Sequence, residues 1–176
     1  MSLVEVLIVV AILGILAALV SGRYQGWDED ARLNAAETNL RLIGDALVRY
    51  KVDHGYYPTI NQVWDNLILK TDAHGNLAEA GHFGPYITQP PTNPWTYLDI
   101  VDQPDSDIDA TGYTYDPVTG KVLIPGYNQT IRKYTGPRLS PGEARIIKLA
   151  READNAASSS GDNDDPSYGG YSHTSN

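Results

Sequence analysis

The chain opens on an apolar run without a polar face. Through residues 1–20, MSLVEVLIVVAILGILAALV, the one ionisable side chain is Glu5, and nearly every other position is Leu, Ile, Val or Ala. As a helix this run is apolar on all sides rather than along one stripe, and at 1.5 Å per residue it reaches ~30 Å, the thickness of a bilayer's hydrocarbon layer. Beyond Gly22 the pattern changes. Leu33, Ala36, Leu40, Ile43, Leu47 and Tyr50 recur at spacings of three and four, which is a single apolar stripe on a helix. Asp30, Arg32, Glu37, Arg41, Asp45 and Arg49 fall largely off that stripe, and Gly55 followed by Pro58 supplies the stop. The pattern therefore predicts one long helical run with weak points at Gly14, Gly22 and Gly26.

The remainder reads as a small mixed domain. Residues 60–69 predict a short helix and 71–84 a loop, while 97–101, 113–115 and 121–124 read as strands, the last two joined by turn chemistry at Asp116-Pro117-Val118-Thr119-Gly120. Ser140, Pro141 and Glu143 form a helix start of the capping-box kind, predicting a helix to about Asp154. After Ala157 the chain has no aliphatic side chain and is rich in Ser, Gly, Asp and Asn. The expected fold class is α+β: a long N-terminal helix packed on a small antiparallel sheet, with an added C-terminal helix and a polar tail. The expected divisions are an apolar, membrane-spanning helix at 1–24, an amphipathic helix at 25–55, a globular head at 56–139, the C-terminal helix at 140–155 and the tail at 156–176. Trp64, Trp95, Tyr97, Tyr113 and Tyr115 are the expected aromatic core.

Composition narrows the function. With 13 Lys and Arg against 22 Asp and Glu, the net charge of −9 offers no phosphate-neutralising surface, so nucleic acid is not an expected partner. The absence of Cys excludes disulfides, thiolate metal sites and thiol nucleophiles. His54, His74, His82 and His173 are scattered, and no zinc-hydrolase, serine-nucleophile, P-loop or dinucleotide motif is present. The chain is not expected to be an enzyme.

Glu5 is the residue that asks for a function. A carboxylate within a membrane helix costs about 2.5–3.5 kcal/mol on insertion scales unless it is partnered. Two readings stand: it snorkels to the interface from near the helix end, or it pairs with the α-amino group at Met1 of a neighbouring subunit and sets an axial register. Gly14 and Gly22 likewise admit two readings, local unwinding of the helix or close helix packing together with Ala11, Ala17 and Ala18.

Met1-Ser2-Leu3-Val4-Glu5-Val6-Leu7 followed by the apolar run resembles the mature N-terminus of the type IV pilin superfamily, which includes the pseudopilins of type II secretion. Tyr50-Lys51, Tyr57-Pro58-Thr59, Pro85-Tyr86 and Pro90-Pro91-Thr92-Asn93-Pro94-Trp95 resemble the helix end and following loop of major pseudopilins. The resemblance covers residues 1 to about 97. It implies a homopolymeric filament subunit, held in the inner membrane until assembly and then displayed on the cell surface. It also implies removal of a leader by a prepilin peptidase, methylation of the first residue, and an assembly platform and ATPase as partners. Many relatives carry proline where Gly22 stands.

Two further patterns remain. Asp105, Asp107, Asp109 and Asp116 place hard oxygen ligands along one segment, as calcium requires, and calcium is the one candidate cofactor; the alternative is a solvated acidic loop. Asn128-Gln129-Thr130 fits an N-glycosylation acceptor. Against the filament subunit stand two alternatives from different classes: a monomeric membrane-anchored surface module that binds calcium or sugar, and an anchored calcium-dependent or carbohydrate-processing enzyme that would work through Asp107 or Asp109.

Overall fold

A computed structural model describes residues 2–21, 24–105 and 110–160. Met1, Gly22, Asp107, Asp109 and the tail from 161 lie outside the described residues. The helical run comprises α1 (Leu3–Ser21) and α2 (Tyr24–His54), and it passes through Gly14 and Gly26 without a break.

The predicted stripe of α2 is buried throughout: Leu33, Ala36, Leu40, Ile43, Leu47 and Tyr50 all lie in the core, joined by Ala46. The helix ends where the sequence places its stop. Gly55 takes φ +83° and donates its N–H to the Lys51 carbonyl at 2.8 Å, the left-handed cap that spares a side chain the steric penalty. A 3-10 turn at Ile60–Gln62 then leads into α3 (Val63–Ile68), whose Val63 and Leu67 close one end of the core.

Two small sheets cover α2. The first contains β1 (Val101–Asp102), β2 (Tyr113–Asp116) and β3 (Lys121–Leu123), with β2 central; the second contains β4 (Tyr127–Asn128) and β5 (Lys133–Tyr134). β2 pairs antiparallel with β3, and β4 with β5, whereas β1 joins β2 in parallel through Val101 opposite Tyr113 and Asp102 opposite Thr114. The strand expected at 97–101 is shorter than its composition suggests, and the reason lies just upstream. Asn93 is buried and gathers the chain into a knot: its side-chain oxygen accepts the Trp95 N–H at 2.9 Å, its amide donates to the Gly112 carbonyl at 3.0 Å, and its backbone N–H donates to the Leu98 carbonyl at 2.8 Å. Tyr97 leaves this knot at φ 55°, so extended backbone begins only later. Gly112 lies so close to the Leu98 carbonyl that a Cβ there would collide with it.

The aromatic core is centred on Trp95, which is fully buried and stacked on Tyr134 at 4.1 Å with an interplanar angle of 2°. Tyr113 and Tyr115 are buried as expected. Trp64 is half-buried, sending its indole N–H to the Asp99 carbonyl at 2.6 Å, and Tyr97 lies at the boundary under the Arg32 guanidinium.

α4 (Pro141–Ser160) begins at the predicted capping box. The Ser140 N–H and hydroxyl donate to Glu143 at 2.7 and 2.8 Å, and the Glu143 N–H returns a bond to the Ser140 hydroxyl at 3.3 Å. The helix runs past the expected end at about Asp154, since Ala156 and Ala157 are strong helix formers and no Gly or Pro intervenes before Ser160.

Candidate assembly surface

α1 is the site where sequence and burial disagree most. Its described apolar side chains, through residue 18, are exposed on every side, the large ones from Val6 at 50% to Leu3 at 79%. An isolated apolar surface of this size marks a place meant for another apolar surface. Glu5 lies in the first turn, where Ser2 caps the helix backbone: the Glu5 N–H donates to the Ser2 carbonyl at 3.0 Å and the Val6 N–H to the same oxygen at 3.4 Å. A carboxylate there meets the positive end of the helix dipole, worth about 0.3–1 kcal/mol. No atom comes within 4 Å of a Cβ built at Gly14, so the chain's own packing does not explain that glycine. Among the described residues no helix is long and apolar enough to cross a membrane.

α2 is bound to its cover by charged groups beside the buried stripe. Glu29 accepts from the Trp95 indole at 3.3 Å and from Arg138 at 2.9 Å. Arg32 pairs with Asp28 at 3.0 Å and also donates to the Pro94 carbonyl and, at 3.2 Å, to the Tyr97 hydroxyl; the bond to Asp28 is the main cause raising its pKa. Glu37 accepts from Arg132 at 2.8 Å and from the Tyr127 hydroxyl at 3.0 Å, while Arg132 also reaches Asn34 at 2.8 Å. Burial, followed by Glu37, holds the Tyr127 phenol above its ordinary pKa. These contacts hold the Pro-Thr-Asn-Pro-Trp segment and the second hairpin on α2, so the head and the helix form one unit. None of Glu29, Asn93 or Arg132 stands out in the sequence by type. The only available signals were the two prolines bracketing Thr92-Asn93 and the placement of acids along one flank of the stripe.

The candidate calcium ligands are not brought together by what is described. Asp105 is exposed beyond β1. Asp116 shapes the β2–β3 turn, one oxygen accepting the Val118 N–H at 2.9 Å and the other the Thr119 hydroxyl at 2.6 Å. The Thr119 hydroxyl, followed by the Val118 N–H, lowers the Asp116 pKa, as expected for a carboxylate serving as a turn acceptor. Asp107 and Asp109 lie outside the described residues, and among the described residues no three acidic or histidine side chains are grouped to hold a metal. Asn128 is exposed in β4, and its side-chain oxygen accepts the N–H groups of Thr130 and Ile131 at 3.0 and 3.2 Å, organising the β4–β5 turn.

A long N-terminal helical run, apolar in its first part and covered in its second by a small α+β head, is the arrangement of a type IV pilin-like protein. A family described as type II secretion system (T2SS), protein G matches residues 23–117, and the chain belongs to that family. The type II secretion system core protein G of Pseudomonas aeruginosa is 33% identical over 94 residues, which cover 53% of this chain and 66% of that protein. Those of Aeromonas hydrophila and Vibrio cholerae are 37% identical over 94 residues and 38% over 96, covering 65% and 63% of their own lengths. The chain thus spans just under two thirds of these relatives. No solved structure matches. The family is one of structural subunits and not of enzymes. Its match takes in α2, α3, β1 and β2, and stops before β3 and α4.

Proposed function

We propose that the chain is a structural subunit of a type II secretion pseudopilus or a related pilus, a helical filament polymerised from many copies. The observation that carries this reading is α1, whose apolar side chains are exposed all round while the stripe of α2 is fully used by the head. Such a helix is stable in one of two surroundings, lipid tails or copies of itself. Before assembly it rests in the inner membrane, and in the filament it joins a bundle of equivalent helices with the acidic heads outside. Lipid and protein interiors are similarly apolar, so packing and polar pairing, rather than hydrophobicity, select the assembled state. Glu5 supplies that selection by meeting the N-terminal amine of a neighbour, which neutralises a charge that costs free energy in either medium. Gly14 and Gly22 provide the close approach or local unwinding that the bundle needs.

Head-to-tail addition without closure gives a fibre. The prepilin peptidase, assembly platform and ATPase belong to this proposal as its partners, and the finished filament extends from the inner membrane towards the cell surface. The test is electron microscopy of material sheared from cells, with mass spectrometry of the first residue. Filaments of this chain beginning at a methylated Met1 are expected. A lone monomer with a retained leader, or polymer unaffected by Glu5→Ala, contradicts the reading and favours a monomeric anchored binding module.

A further inference from the structure

β1 is an edge strand, hydrogen-bonded to β2 on one side. The Ile100 carbonyl accepts the N–H groups of Gly112 and Tyr113 at 3.0 and 2.9 Å, so Ile100 faces β2. The Asp99 carbonyl turns the other way and accepts the Trp64 indole N–H at 2.6 Å. With Val101 opposite Tyr113 in parallel register, the N–H and C=O of Val101 point to the same side as the Asp99 carbonyl, away from β2. Among the described residues no other element takes up either group.

These groups open into a groove of about 830 Å³ with β1 as its floor. One wall carries Ile60, Trp64 and Asp65, and the other carries Lys148, Arg151 and Glu152 of α4. Charge in the groove is lopsided. Lys148 is matched to Asp99 at 2.7 Å and Arg151 to Asp102, whereas Asp65 and Glu152, exposed on opposite walls, form no ion pair among the described residues. The α4 wall lies beyond the residues matched by the family, so the shared head does not account for the groove.

We propose that this groove takes up an extended, basic segment of another protein as a short added strand. The edge supplies one main-chain donor and one acceptor at Val101, and Ile60 and Trp64 supply apolar contact. A Lys or Arg of the segment, lying between Asp65 and Glu152, supplies the charge that the walls lack. The stretch of α4 lining the groove, from Lys148 to Asn155, is ~10 Å long, which is room for about three extended residues. Charge also selects the source of the segment. The chain's own residues beyond 160 include Asp162, Asp164 and Asp165 and no Lys or Arg, so they are repelled where a basic segment is attracted. The site involves neither α1 nor the filament reading above.

The test is NMR of the full-length chain in mild detergent, following the Val101 amide during titration with the peptide Ac-Val-Lys-Val-Lys-Val-NH2. Saturable binding with a Kd of about 1 mM is expected. Replacing both peptide lysines by glutamate is expected to weaken binding roughly tenfold, and Asp65→Asn with Glu152→Gln, both at exposed positions, weakens the lysine peptide to a similar degree. N-methylation of the inner peptide amides keeps the charge, removes the main-chain donors and is expected to abolish binding. Equal affinity for the lysine and glutamate peptides, undiminished binding of the N-methylated one, or no binding at about 10 mM overturns the proposal. A Val101 amide already shielded from hydrogen exchange before peptide is added, as when the residues beyond 160 or a second copy fill the groove, overturns it too. The expected binding pattern in a chain that forms no filaments supports the groove and counts against the filament reading alone.

Discussion

α1 and α2 follow one another in the chain and are both rich in aliphatic residues, yet α2 buries a full stripe of them, leaving Leu42, Val48 and Val52 exposed, whereas the described side chains of α1 are exposed throughout. The difference is one of arrangement. On α2 most of the apolar groups are gathered on one stripe, which a small sheet and a short helix are wide enough to cover. On α1 they surround the helix, and no cover of that size reaches around a cylinder. A stripe can be satisfied within one chain, whereas an apolar cylinder needs lipid or several neighbours. Folding of the head and the filament assembly proposed above therefore fall to adjacent segments with separable energetics.

Substitutions that separate the two segments test this directly. The largest expected effect is Trp95→Ala, which removes a fully buried ring stacked on Tyr134 and is expected to destabilise the head by about 3–5 kcal/mol in urea unfolding followed by circular dichroism. Leu47→Ala, in the centre of the stripe, is expected to cost about 2–5 kcal/mol in the same measurement. Its counterpart Leu7→Ala on α1 is expected to leave the unfolding midpoint of the head within about 0.5 kcal/mol of the parent while reducing filament yield. A clear shift in head stability from Leu7→Ala would break the separation.

The pH dependence sharpens the same contrast, because the buried phenols belong to the head. Burial is the main cause raising the Tyr50 pKa to about 12, and it raises Tyr113 and Tyr115 further. The unfolded phenols lose their protons near pH 10 while the folded ones retain them. The stability they contribute is therefore complete below pH 10 and is lost as pH rises through the folded pKa values. Unfolding in urea at pH 8 and pH 11 is expected to show a weaker head at the higher pH, and Tyr50→Phe is expected to reduce that loss. A smaller loss than those in the core is expected at the edge of the head. Ser140→Ala removes one side of the capping box and is expected to cost α4 about 1 kcal/mol, read as faster amide exchange in its first turns. The Ser140 N–H and hydroxyl lower the Glu143 pKa, so this cap is intact above the ordinary glutamate range and fails as pH falls through the folded value.

Repeating features were legible in the sequence. The spacing of Leu33 through Tyr50 located the buried face of α2, Gly55 its end, and Ser140 with Glu143 the start of α4, because each rests on contacts between near neighbours. Ala46 was passed over because the neighbouring Leu47 already filled that turn of the stripe, although it is buried. The hairpin of β4 and β5 was not foreseen: its two-residue strands are too short to show alternation and are held from a distance by Glu37 and Asn34 on α2. The extended composition of 97–101 was overridden by the Asn93 knot, whose partners Leu98 and Gly112 become neighbours only on folding. At the candidate assembly surface the sequence marked Glu5 and Gly14 through their oddity in an apolar run, while the partners proposed for them belong to other copies and leave no trace in one chain.

The most direct measurement is cryo-electron microscopy of the purified full-length chain after detergent removal, comparing the parent with Glu5→Ala. The account predicts filaments for the parent, with α1 helices bundled at the centre, heads outside and Glu5 beside a neighbouring N-terminus, and no ordered filaments for the variant. Single dispersed molecules with α1 intact, or equal filaments from both chains, would contradict it.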